Sequence, residues 1–343
     1  MASSMPALFT RRSPLVILPF FLWGTAMVVM KGILPQMSPL LMAGLRLLPA
    51  GLLLLVVAGW QKRPWQISFQ GWLWVLLFAL VDGTLFQGFL ALGLERTGAG
   101  LGSLLIDSQP LAVAVFAALF YQERISLSAV VGLVVGLSGI ILIGVPHDLW
   151  TDVLAGNWSA LWDAGLFTMG EWLMLGAALS MALGTILIRP VVRYADPLVA
   201  TGWHMILGGL PLLFAALGRD PQNLYTIDLT GWLGIGYMTV MGSALAYGLF
   251  FFFASSGNLT SLSALTFSTP VFALLFSRLF LGEKLAVVQW WGVVLTLTSI
   301  YLVSAKPDSE TEDLTETDTS IPVIENGVLV SPEILETEFS QNN

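Results

Sequence analysis

The chain has 343 residues, of which 56% are apolar and only 10% charged. Soluble domains carry about 25% charged residues, so the composition argues against a water-soluble fold and for a polytopic membrane protein. Cys is absent and His occurs twice, at His147 and His204, which excludes disulfides, thiolate sites, Cys nucleophiles and a His-built metal centre. The net charge of −8 is local, because ten acids and one base lie from Lys306 onward and leave 12 acids against 13 bases elsewhere; no basic patch points to nucleic acid.

A helix needs roughly 20 mostly apolar residues to cross a bilayer core, and ten runs qualify. A short cytoplasmic N-terminus over 1–13 ends with Arg11 and Arg12 and leads into the first run, 14–33. The paired bases resemble the start of a signal peptide, but no small-x-small cleavage site precedes Lys31, so an uncleaved anchor is expected. Pro35 and Pro39 punctuate the passage to 38–59, and Gln61 to Pro64 the passage to 71–93. Glu123 and Arg124 separate 98–120 from 127–145. The segment 146–169 combines Trp150, Trp158 and Trp162 with three Asp; an interfacial amphipathic stretch on the outer face and an irregular linker both fit it. The runs 170–190, 196–217, 231–253, 259–281 and 286–304 follow. The acidic, Thr- and Ser-rich stretch 306–343 reads as a disordered cytoplasmic tail. Continuous rather than alternating apolarity makes these helices, not barrel strands. Eight loop bases fall on the side of Arg11, Lys62, Arg124 and Arg193, against four on the side of Arg96 and Arg219. That bias places both termini in the cytoplasm, in a plasma (inner) membrane.

The sequence repeats itself at a shift of 160 residues. Gly71-Trp72-Leu73 returns as Gly231-Trp232-Leu233, Ser108 and Pro110 as Ser268 and Pro270, and Glu123-Arg124 as Glu283-Lys284. In the second run of each half a shift of 158 pairs Pro39 with Pro197, Gly44 with Gly202 and Arg46 with His204. Two five-run halves, 14–145 and 170–305, follow. Five is odd, so the second half is expected upside down. Inverted repeats are typical of secondary transporters, with the substrate site near mid-membrane between the halves.

Several of these residues also carry a family resemblance. They are Trp23-Gly24-Thr25 with Lys31-Gly32, the pattern from Pro39 to Arg46, and two blocks: Pro110 to Glu123-Arg124-Ile125, and Pro270 to Glu283-Lys284-Leu285. On them the sequence resembles the drug/metabolite transporter superfamily, in its EamA-type ten-span members, over about 14–305. The resemblance implies an all-α bundle of ten transmembrane helices, built as a 5+5 inverted repeat, that exports or exchanges small metabolites, often amino acids. His204 in place of a second Arg lowers the expectation of a phosphate-binding pair of bases.

Ionisable groups inside a membrane are rare and mark candidate sites. Arg46, Asp82, Asp107 and His204 all fall near mid-depth of their runs. Arg46 is expected to offset Asp82 or Asp107, either in a substrate cavity or in a permanent ion pair. Asp107 or His204 is a candidate proton carrier, since an imidazole changes charge near pH 6.5 in water. Gln87, Ser243 and Tyr247 are candidates for the same polar lining. Pro110 and Pro270 are expected to kink their helices near the midplane and free carbonyls there. Glu123 and Glu283, beside bases at the ends of their runs, read as gate or interface residues.

The function expected is a secondary-active transporter of a small metabolite, most simply an amino-acid exporter working by alternating access. It acts within the lipid bilayer, with protons as a candidate coupling ion and no cofactor, as monomer or homodimer. The alternatives are a sugar-phosphate or nucleoside exchanger, or a passive channel or scramblase. An intramembrane protease using Asp82 and Asp107 is disfavoured because neither sits in a Gly-x-Gly-Asp pattern. No enzyme is expected, and no nucleotide-binding loop for ATP-driven pumping is present.

Overall fold

The helices begin where short polar side chains can satisfy free backbone amides. The Ser38 hydroxyl accepts the Leu41 amide proton, the Ser68 hydroxyl that of Gly71 at 3.1 Å, the Asp228 carboxylate that of Gly231 at 2.7 Å and the Asn258 side chain that of Ser261 at 2.8 Å. Ser68 and Asp228 occupy the same position of the 160-residue repeat, so the two copies start their third helix with the same device.

A computed structural model describes residues 14–96, 105–144, 152, 155–159, 169–219, 227–281 and 287–304, together with two short strands near the C-terminus. The helices are α1 (Leu18–Ile33), α2 (Pro39–Trp60), α3 (Phe69–Arg96), α4 (Gln109–Tyr121), α5 (Leu127–Gly144), α6 (Met169–Val192), α7 (Pro197–Arg219) and α8 (Leu229–Ser256). They continue with α9 (259–281) and α10 (Val287–Ser304). Among the described residues six, namely α2, α3, α6, α7, α8 and the Leu259–Phe276 part of α9, are long and apolar enough to cross a membrane. The apolar parts of α1, α4, α5 and α10 are shorter, at 10–17 residues. The chain is an all-helical integral membrane protein. Separately, within the unit Ser304–Asn343, β1 (Val323–Glu325) pairs antiparallel with β2 (Val328–Val330). The rest of the acidic tail and most of 146–169 lie outside the described residues.

Two pairs of elements depart from simple helix. The middle of α3, Ala79–Phe86, and the middle of α8, Met238–Leu245, are π-helical, at matching positions of the repeat. Such wide turns are uncommon and concentrate at functional sites. The proline helices also differ from expectation. Pro110 stands in the first turn of α4, after a turn at Asp107-Ser108. Pro270 stands in the first turn of Ser268–Leu281, which restarts α9 after Leu259–Ala264 and a tight turn at Leu265–Phe267. A first-turn proline needs no amide partner, so both prolines restart a broken helix instead of kinking a continuous one. The break is closed alike in both copies: Ser108 Oγ donates to Leu105 O at 2.7 Å and Ser268 Oγ to Leu265 O at 2.6 Å.

Large apolar side chains such as Leu52, Val56, Leu73, Leu76, Val134, Leu233 and Leu297 face outward, while Arg46, Asp82, Gln87, Asp107 and His204 are buried. This distribution suits lipid outside and polar chemistry inside. The most extensive crossing is between α2 and α7. A Cβ at Gly44 would stand 2.8 Å from Leu213 Cβ, one at Gly51 2.7 Å from Ile206 Cγ1, and one at Gly202 2.8 Å from Leu55 Cγ. One number rises as the other falls, so the helices run antiparallel. Under the repeat, Gly44 corresponds to Gly202 and Leu55 to Leu213, so the two contacts are copies of one another. Helices α5 and α10 meet in the same manner, with Gly132 against Val303 and Gly292 against Ile143. Three further pairings are duplicated: α1 on α9 and α6 on α4, α7 on α3 and α2 on α8, α6 on α3 and α1 on α8. Without a hydrophobic driving force in lipid, such small-residue contacts supply the packing.

Gly202→Leu is expected to destabilise the protein by about 1–3 kcal/mol through overpacking against α2. Gly236→Ala, where an added methyl meets nothing within 4 Å, is expected to be neutral or slightly stabilising. Thermal unfolding in detergent of the two variants checks the crossing.

Candidate functional site

Three helices bring one hydrogen-bonded chain together at the level of the π segments. Arg46 on α2 is 7% exposed, and its Nη2 donates to Gln87 Oε1 on α3. Gln87 Nε2 donates in turn to Tyr247 Oη on α8 at 2.8 Å. Gln87 and Tyr247 are counterparts across the 160-residue repeat, and each follows its π segment. Arg46 Nε and Ser243 Oγ, both buried, have no hydrogen-bond partner among the described residues. Trp23 closes this cluster from α1: its ring packs on Tyr247 at 5.0 Å, and its Nε1 donates to Gly242 O in the second π segment at 3.2 Å.

A second polar unit joins the first π segment to α7. His204 Nε2 lies 3.0 Å from Asp82 Oδ2, and His204 Nδ1 lies 2.8 Å from Thr201 O. Both side chains are at most 1% exposed. The Thr201 carbonyl only accepts, so Nδ1 carries a proton. A single proton then completes the bond between Nε2 and Oδ2. Whether it rests on nitrogen or on oxygen, the pair is neutral as a unit. Phe78 stacks on the imidazole at 4.2 Å and Phe251 meets it edge-on at 5.4 Å. Asp82 Oδ1 is left without a partner. The approach of the two elements requires glycine, since a Cβ at Gly83 would lie 2.8 Å from Gly208 Cα; Thr84 Oγ1 donates to Gly208 O at 3.0 Å beside it.

This arrangement corrects one expectation. Arg46 does not pair with Asp82, whose partner is His204, and among the described residues it meets no carboxylate. The reason is geometric: α7, which carries His204, packs directly on the π segment of α3, while Arg46 points to the turn after it. Asp107 is buried in the turn before α4 and makes no ion pair among the described residues. Next to it, both side-chain polar atoms of Gln109 are buried without partners, as are Thr266 Oγ1 and Thr269 Oγ1 at the corresponding break of α9. Buried polar groups are nearly always satisfied in folded proteins, so these orphans mark the broken helices as a second polar region.

Glu123 lies just beyond α4 and ties the two halves together. Its Oε1 is 2.6 Å from Arg189 Nη2 on α6, and its Oε2 accepts from Thr260 Oγ1 at 3.2 Å at the start of α9. Arg189 also donates to Gly257 O at 2.8 Å and stands 4.6 Å over the Tyr121 ring. Glu283 lies outside the described residues. Sequence reasoning missed Arg189, Phe78 and Thr260 as partners. Arg189 alone carried a signal, a charge close to the end of an apolar run. Among the described residues no group of three His, Asp or Glu side chains is placed to hold a metal.

With this geometry in place, the comparisons with known proteins can be read. The sequence profile of the EamA-like transporter family matches residues 13–145 and 168–305. A protein of Synechocystis named as the uncharacterised transporter sll0355 is 57% identical over 296 residues, covering 85% of this chain and 89% of its own. The WAT1-related chloroplastic protein At3g02690 of Arabidopsis thaliana is 48% identical, covering 84% of this chain and 68% of its own. Protein PecM of Dickeya dadantii is 33% identical, covering 82% and 88%. A solved crystal structure superposes with a TM-score of 0.69 at 14% identity, covering 85% of this chain and 96% of its own, and shares the fold.

His204→Leu leaves the Asp82 carboxyl group buried and unpaired. It is expected to destabilise the protein by about 3–5 kcal/mol. Adding Asp82→Leu is expected to recover a large part of that loss. Equilibrium or thermal unfolding of the two single variants and the double variant in detergent checks the pairing; strict additivity of the two effects would show that the pair does not act as a unit.

Proposed function

The chain belongs to the EamA-like transporter family, and from that premise we propose that it is a secondary-active carrier that exports a small metabolite by alternating access. Membership already makes it a membrane transporter of small molecules and not an enzyme. In our reading all ten helices cross the bilayer, five in each half, with the halves inverted and both termini in the cytoplasm of a plasma-membrane-type bilayer. The substrates proposed are amino acids or related compounds.

One observation carries this reading: the antiparallel crossing of α2 and α7 repeats its own contacts under exchange of the halves. Two copies related in that way can trade conformations, so inward-open and outward-open forms have similar energies. Such near-degeneracy is what alternating access needs. The chain Arg46–Gln87–Tyr247, with Ser243, supplies the substrate site, and Asp82–His204 beside it supplies a proton site. Asp107 extends the polar path at the break before α4. The breaks before Pro110 and Pro270 serve as hinges. Glu123 with Arg189 closes the cytoplasmic end, and Glu283 has the corresponding place at the outer end.

The absence of Cys makes the test direct, because single Cys residues can be added without removing any. Cys at Arg124 and at Lys284 should be labelled by impermeant maleimide from opposite faces of the membrane; labelling from the same face would sink the inverted arrangement. Purified protein in liposomes should show saturable amino-acid uptake driven by a pH gradient, and Asp82→Asn should abolish the gradient dependence. Non-saturable flux would point to a channel or scramblase instead.

A further inference from the structure

Resting on the carrier reading above, we infer that Arg46 is the counter-charge for a carboxylate of the transported molecule. The argument is one of unbalanced charge. None of the described carboxylates near the centre or the latch pairs with Arg46. Asp82 shares its proton with His204, and that pair is neutral as a unit. Glu123 is bound to Arg189. Asp107 forms no ion pair among the described residues. What remains is a guanidinium, 93% buried, whose contact is the neutral amide of Gln87 and whose Nε–H has no partner. An uncompensated buried charge is strongly unfavourable, and a protein keeps one where a ligand completes it.

The donors around Arg46 match one chemical class. Tyr247 Oη accepts from Gln87, so its own hydroxyl proton stays available, and the Ser243 hydroxyl has no partner. The Arg46 Nε–H on α2, and the Tyr247 hydroxyl proton and the Ser243 hydroxyl four residues apart on α8, are three donors without acceptors among the described residues. A carboxylate has two oxygens with about four acceptor positions and one negative charge, which fits three donors and one cation. A phosphate monoester carries about −1.5 to −2 near neutral pH and calls for a second cation. The repeat would supply it at His204, but that imidazole is committed to Asp82. The cluster therefore favours a monocarboxylate over a phosphate ester. Arginine suits the task because its planar fork binds a carboxylate through two parallel hydrogen bonds.

The test uses the full-length protein in liposomes with matched probes: labelled amino acids and aromatic monocarboxylates, the corresponding amides, and hexose phosphates. At least one carboxylate should be taken up saturably, and its amide should compete at least about tenfold more weakly, the factor equivalent to 1.4 kcal/mol. Arg46→Gln should abolish that preference, while Arg46→Lys should keep part of it. A second measurement does not depend on finding the substrate. In ligand-free detergent solution Arg46→Gln should raise Tm, because an unbalanced charge has been removed. A fall in Tm would mark Arg46 as a structural element and overturn the inference. Equal uptake of acid and amide, uptake of phosphate esters alone, or saturable uptake unchanged in Arg46→Gln would each overturn it as well while leaving the carrier standing. Non-saturable flux in the wild type would sink the carrier reading itself.

Discussion

The structure depends on two backbones being allowed to touch. At the crossing of α2 and α7, Gly51 and Gly202 bring backbone against backbone, and Gly44 lets Leu213 pack directly on the α2 main chain. Lipid tails are as apolar as Leu, so nothing but close packing and polar contacts holds such helices together. The close approach sets the level at which Arg46 and His204 enter the interior. It also fixes where α3 and α8 lie, because α7 packs on the π segment of α3 and α2 on that of α8. Wider spacing would leave the two π segments too far apart for Gln87 to reach Tyr247.

The interior is then best seen as two polar units with different duties. In the Asp82–His204 unit each partner meets the other's need, and aromatic rings seal it. In the Arg46 unit the hydrogen bonds run outward along Gln87 to Tyr247 and leave donors unspent. Arg46 and His204 correspond across the repeat yet belong to different units, whereas Gln87 and Tyr247 correspond and share one. A duplicated frame has diverged at its centre, so symmetric packing surrounds an asymmetric site.

Much of this was legible in the sequence. The apolar runs gave the helices, and the 160-residue shift gave the correspondences that the contacts later repeat. Arg46, Asp82, Gln87, His204, Ser243 and Tyr247 stand out by polarity in apolar surroundings, and hydrogen bonds join Arg46 to Gln87 to Tyr247 and Asp82 to His204. Their pairing was not legible. Which cation meets Asp82 depends on how far α7 leans on α3, and that is decided by Gly83 and Gly208, two residues without any polar signal. The π segments were equally hidden, because a wider turn changes hydrogen-bond register without changing composition. Continuous apolar runs predict kinks at the two prolines; the serine two residues before each one, which closes the preceding turn, is the sequence signal of a break instead.

The duplicated packing pattern has a consequence for how the protein is made. Most of the major contacts that close the interior join early sequence to late sequence, and His204 follows Asp82 by 122 residues. Ribosomes add about 5–20 residues per second, so Asp82 spends roughly 6–24 s in the membrane before its partner has been synthesised. During that interval α3 offers the insertion machinery an acid without its imidazole partner and an amide group still lacking Tyr247. The first half is thus an unfinished product that must be shielded from lipid and from premature degradation until translation ends. A nascent chain stalled before α7 would be expected to stay associated with the translocation site rather than to disperse into the bilayer.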